Sequence, residues 1–115
     1  MKLAPPLALA LAIGLVAACD KSGTGNTCAS TGAIAVDARD DSTFSPASLQ
    51  ITPTQEVCWQ NLGKLTHTIT SDLAADSIDI TLPPDFNFTK GFGGTQDFFY
   101  HCRFHSGMVG VIHVR

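Results

Sequence analysis

The sequence predicts a single all-β domain, a sandwich of short strands. Apolar and polar residues alternate with period two over several short stretches, and turn residues recur between them at intervals of roughly 8–12 residues. No stretch of ten residues keeps a 3.6-residue period without a breaker. A chain of 115 residues has room for one core of ordinary size.

The candidate strands, in order, are residues 33–39, 48–52, 56–61, 66–71, 77–82, 95–102 and 109–115. In 77–82, Ile78, Ile80 and Leu82 share one face. In 95–102, Phe98 and Tyr100 lie on the side of Cys102, while Phe99 and His101 face away. Ser45-Pro46, Thr52-Pro53, Leu62-Gly63-Lys64, Pro83-Pro84-Asp85 and residues 91–94 supply the turn chemistry between strands. No internal repeat is present.

The first 18 residues follow another logic. Lys2 gives a cationic start, and the 16 residues from Leu3 to Ala18 carry no charge. This is the pattern of a secretory signal. The run holds Pro5 and Pro6 and is shorter than the roughly 20 residues a spanning helix needs. Its end, Leu15-Val16-Ala17-Ala18-Cys19, resembles the lipobox of bacterial lipoproteins. That resemblance implies removal of residues 1–18 and lipidation of Cys19, with about 0.8 kcal/mol of anchoring for each buried methylene. Lys21 to Thr27 contains two glycines and no hydrophobic residue, so 19–32 reads as the lipidated cysteine with a flexible tether. Residues 33–115 then form the domain, exported to the periplasm or another face of the cell envelope and held to the membrane by its lipid.

Charge narrows the partners. Without Lys2, six basic residues face ten acidic ones, a net charge of −4. There is no basic stripe, which excludes nucleic acid as a partner. An acidic balance suits brief encounters with a basic protein.

Chemistry concentrates near the C-terminus, where the strand ending at Cys102 runs into Cys102-Arg103-Phe104-His105-Ser106-Gly107-Met108. Upstream, Trp59-Gln60-Asn61, a short turn and His67-Thr68 supply a second imidazole from another strand. One thiolate, two imidazoles and one thioether form the donor set of a copper site with His2Cys near a plane and a weak axial Met. Thiolate and thioether favour Cu(I), and imidazole accepts both oxidation states. Each residue also has an ordinary reading: Met108 as core filler, His67 as a strand-surface histidine. His101 and His113 read as sheet-surface histidines.

At these residues the chain resembles the cupredoxins, the small blue copper proteins of plastocyanin and amicyanin type. Phe44-Ser45-Pro46 before an apolar strand, Trp59-x-Asn61, His67-Thr68 and the Cys102/His105/Met108 loop fall in the family order, and the likeness runs from about Ala33 to Arg115. It implies a Greek-key β-sandwich of seven to eight strands. One copper ion would be held by His67, Cys102, His105 and Met108. The Thr68 backbone N–H would point at the Cys102 sulfur, and Asn61 would tie the two ligand loops together. Leu65, Phe104, Gly107 and Met108 would form an apolar electron port around the His105 ring. The implied role is a monomeric single-electron carrier, not an enzyme, serving a cytochrome or an oxidoreductase. The alternative on the same fold is copper delivery. With Cys19 given to lipid and Cys102 to metal, Cys28 and Cys58 remain, and an oxidising compartment would pair them.

Overall fold

The computed structural model describes residues 28–115, so the signal segment 1–18, the lipidation position Cys19 and the tether residues 20–27 lie outside the described residues. After a 3-10 turn at Cys28–Ser30 come nine strands: β1 (Ile34–Arg39), β2 (Thr43–Ser45), β3 (Ser48–Ile51), β4 (Glu56–Gln60), β5 (His67–Ser71), β6 (Asp79–Leu82), β7 (Asn87–Gly91), β8 (Gln96–His101) and β9 (Val109–Val114). They form a four-stranded sheet in the order β2-β1-β4-β7 and a five-stranded sheet in the order β3-β9-β8-β5-β6. Both sheets are mixed: β1 runs parallel to β4, and β3 runs parallel to β9.

Alternation along the strands builds the core between the sheets. Val36 and Ala38, Val57 and Trp59, Phe98 and Tyr100, and Ile112 and Val114 are all buried on the inner faces. Trp59 is its centre, with ring centroids 5.3 Å from Tyr100, 5.9 Å from Phe88 and 6.2 Å from Phe98. Edge-on and offset contacts of this kind add to what area burial contributes. Burial pushes the Tyr100 phenol up to about 12, because the core disfavours its charged form. Its ring lies against β9 where Gly110 has no side chain; a Cβ there would collide with it.

Nine strands exceed the seven to eight expected. The additions are β2 and β7. β2 is three residues long and buries only Phe44, too little for a period to register. β7 is an edge strand whose residues Asn87 to Lys90 are all half-buried, so it lacks the alternation that marked the others. The folded body also begins before Ala33. Cys28, expected in the tether, is buried and bridged to Cys58, with a sulfur–sulfur distance of 2.08 Å. Its amide also donates to Gln60 Oε1 at 2.7 Å.

Strand directions gather four connections at one end of the sandwich. β1, β4, β6 and β8 run towards that end, while β2, β5, β7 and β9 leave it. The turns 40–42, 61–66, 83–86 and 102–108 therefore sit together. His67 and Cys102 stand at this end.

Candidate metal centre

His67 opens β5 and Cys102 follows β8, its antiparallel neighbour in the sheet. Continued past Thr70↔His101, this register sets Thr68 opposite Arg103 and brings the start of β5, with His67, to the Cys102 end of β8. From Cys102 the chain makes a closed loop: the Cys102 amide donates to the Met108 carbonyl at 2.9 Å, and the Met108 amide to the His105 carbonyl at 3.1 Å. Gly107, with φ of +80°, takes the left-handed conformation this turn needs. The loop folds His105 back over the sulfur.

Three donors converge. Cys102 Sγ lies 3.4 Å from His105 Nδ1 and 3.9 Å from His67 Nδ1, and the ligating atoms are all within 4.8 Å of one another. Metal–ligand bonds of about 2.0–2.3 Å would let one ion reach all three atoms at these separations. A single ion therefore fits the three donors. The imidazole rings stand 4.8 Å apart, tilted by 52°. Cys102 is the one free cysteine among the described residues, and it is buried. Met108 is fully buried in the same loop. The arrangement of His67, Cys102, His105 and Met108 fits a mononuclear blue copper site.

Surrounding residues hold the donors. The Thr68 amide donates to Cys102 Sγ at 3.3 Å, as expected for a thiolate stabilised by a backbone N–H. The Arg103 amide donates to Thr68 Oγ1 at 2.8 Å and joins the two ligand segments. The network closes on itself: the Thr68 and Thr70 hydroxyls are 2.9 Å apart, Thr70 donates to Asp79 at 2.8 Å, and Arg103 Nε reaches the same carboxylate oxygen at 2.9 Å. Hydrogen bonding from Arg103, then from Thr70, holds the Asp79 carboxyl below its ordinary range.

Asn61 departs from its expected role. Its side chain donates to the Leu65 carbonyl at 2.6 Å and the Leu82 carbonyl at 2.9 Å, and accepts from the Gly63 amide at 3.0 Å. At the end of β4 the amide points into its own turn and across to β6, so it braces the His67 turn and, among the described residues, makes no hydrogen bond to the Cys102 loop. Thr68 ties the ligand loops instead.

The turns at the metal end carry exposed apolar side chains. Leu65 and Phe104 are exposed, and so are Leu62 and Phe86, both missed in the sequence. Leu62 and Phe86 flank Asn61, whose amide donates to the Phe86 carbonyl, and this contact brings two turns together at the same end. Gly107 is exposed, whereas Met108 faces inward and takes no part in the patch. The two other histidines lie on the outer sheet surface, each paired with a carboxylate: His101 with Asp72 at 2.6 Å and His113 with Asp97 at 2.8 Å.

His67 Nε2 is buried without a hydrogen-bond partner among the described residues. Burial, and then the neighbouring charge of His105, depress the basicity of His67, with Asp40 opposing them. The fold thus keeps the imidazole neutral and ready to bind a cation. It follows that the metal-free protein loses stability as pH falls, because the unfolded chain takes up the proton first, near pH 6.5. Stability is full above that value and declines below it, until the folded His67 is itself protonated. The depressed carboxyls of Asp40, Asp79 and Asp97 act in a lower window, supporting the fold above about pH 4 and losing that effect below it. Urea midpoints of the metal-free protein at about pH 7.5 and about pH 5.5 should differ, and His67→Gln should reduce the difference. Equal midpoints would contradict the assignment.

Fold and site together define a class: the chain has the cupredoxin fold. Among solved structures it is similar to amicyanin. The reduced state of a proline-to-phenylalanine mutant of amicyanin matches at 20% identity and a TM-score of 0.68, covering 78% of this chain and 89% of that one. A reduced tryptophan-to-tyrosine mutant matches at 18% and 0.70, and the Cu(I) form of a methionine-to-glutamine mutant at 18% and 0.69, with the same coverage. No protein-family model matches the chain, and no curated protein matches it by sequence. At this identity the likeness is one of fold.

Proposed function

We propose that this protein is a single-electron carrier that works through one copper ion held by His67, Cys102, His105 and Met108. One observation carries the reading: a buried thiol that accepts the Thr68 amide at 3.3 Å has two imidazole Nδ1 atoms at 3.4 and 3.9 Å. Bound copper supplies reversible one-electron chemistry between Cu(I) and Cu(II). Cys102 serves as a thiolate, and the Thr68 N–H stabilises its charge in both states. His67 and His105 contribute neutral nitrogens that need little movement to serve either oxidation state. The sandwich keeps the donors in place, so electron arrival requires no bond making; we therefore read the protein as a carrier and not an enzyme.

His105, half-buried on the Cys102 loop beside the exposed Phe104, is the electron port, with exposed Leu62, Leu65 and Phe86 on the neighbouring turns. A redox protein such as a cytochrome or oxidoreductase, with an apolar patch inside a basic rim, suits this surface and the acidic balance of the chain. The signal segment and Cys19 support export and a lipid anchor in the cell envelope, with the domain acting as a monomer.

The test is titration of the purified domain with Cu(II). An intense visible charge-transfer band, and retention of the metal through repeated oxidation and reduction, are the expected results. A band followed by loss of copper to a chelator on reduction would favour copper delivery. A colourless, weakly binding protein would remove the proposal.

A further inference from the structure

We infer that Asp40 is a positioning residue for the metal centre, fixing through the turn 61–66 the place at which His67 is presented. This inference rests on the copper reading above. The turn carries the chain from β4 in one sheet to β5 in the other, so nothing in either ladder fixes its path. Its conformation is held by side-chain acceptors on three successive amides. Gly63 N–H is taken by Asn61 Oδ1 at 3.0 Å. Lys64 N–H is taken by both carboxylate oxygens of Asp40 at 3.0 Å, and Leu65 N–H by Asp40 Oδ1 at 3.1 Å. Asn61 braces the turn from the buried side, and Asp40, from the β1–β2 connection, clamps it from outside.

Gly63 is the counterpart of that clamp. A Cβ at this position would fall on the Asp40 carboxylate, so the glycine is what lets the carboxylate approach the amides. Hydrogen bonds to an ionised acceptor are roughly twice as strong as neutral ones. The Lys64 and Leu65 amides hold the Asp40 carboxyl below its ordinary range, as expected of a carboxylate that accepts both bonds. Asp40 lies outside the group of metal donors. It acts on His67 through two intervening residues, Leu65 and Thr66.

Cu(II) itself is the probe. In Asp40→Ala, retention of Cu(II) against a competing chelator should fall about tenfold, the low end of what removing a supporting residue costs at metal sites. The visible band and the reduction potential should both shift. Asp40→Asn, which keeps one acceptor oxygen, should fall between the wild type and the alanine variant. Gly63→Ala should act in the same direction as Asp40→Ala, and the double variant should be no worse than the more severe single one, because both changes break one contact. Asp41→Ala, removing the adjacent exposed carboxylate, should leave the band unchanged. Wild-type retention, band and potential in Asp40→Ala would overturn the inference and leave Asp40 a structural residue, as would strictly additive losses in the double variant. A wild-type protein that gives no band with Cu(II) would instead overturn the copper reading before any variant is compared.

Discussion

Cys102→Ser should abolish the visible band and weaken copper binding by more than about a hundredfold. Residues that merely orient metal ligands cost about 10–100-fold when removed, and loss of the only thiolate must exceed that. The serine hydroxyl is nearly isosteric and can accept the Thr68 amide that now reaches the sulfur, so the variant should fold. What disappears is the metal's contribution to stability. At copper concentrations about a hundred times the dissociation constant, a ligand that binds only the folded state contributes about 2.7 kcal/mol. Wild-type protein should therefore gain thermal stability on adding Cu(II), and Cys102→Ser should not. Met108→Leu is the informative contrast, because an axial thioether binds weakly and tunes the potential. It should keep the band and move the potential. A band surviving in Cys102→Ser would show that the sulfur is not the donor.

The parts of this protein that could be read from sequence are those that repeat locally. Period-two alternation marked β6 and β8, and the spacing Cys102-x2-His105-x2-Met108 marked the loop, because adjacent residues there act together. β7 escaped because every residue from Asn87 to Lys90 is half-buried and no period exists to detect. The devices that position the donors escaped for a different reason. Asp40 meets the Lys64 and Leu65 amides across 24 and 25 residues, and Arg103 meets Asp79 across 24. Contacts of a side chain with a partner so distant in sequence leave no composition or spacing at either end. Asn61 shows the same limit. Its importance could be seen from its place before the His67 turn, but its partners could not, since they depend on how β4, β6 and the turn meet. Gly63 is legible in the sequence as turn chemistry, whereas its place in the structure is to admit the Asp40 carboxylate.

Removing the Cys28–Cys58 bridge should separate stability from chemistry in the direction opposite to Cys102→Ser. The bridged residues are 30 apart, and closing a loop of that size in the unfolded chain corresponds to about 3–4 kcal/mol. Both half-cystines are buried, so a Cys28→Ser/Cys58→Ser double variant also places two hydroxyls where sulfur now packs. With a urea dependence of roughly 1.5 kcal/mol per molar, the midpoint should fall by about 2 M or more. The copper site should be spared. Cys58 sits between Val57 and Trp59 on β4, so its side chain points to the outer face while theirs enter the core. Neither residue of the bridge belongs to the turns at the metal end. Folded double variant should therefore show the wild-type visible band, while Cys102→Ser should show near wild-type stability in metal-free form and no band. A double variant that lost its colour under conditions where it remained folded would mean that the strand leading to Asn61 and the His67 turn depends on the bridge for its position. In that case the arm bearing Cys28 would have to be counted among the elements that shape the metal centre.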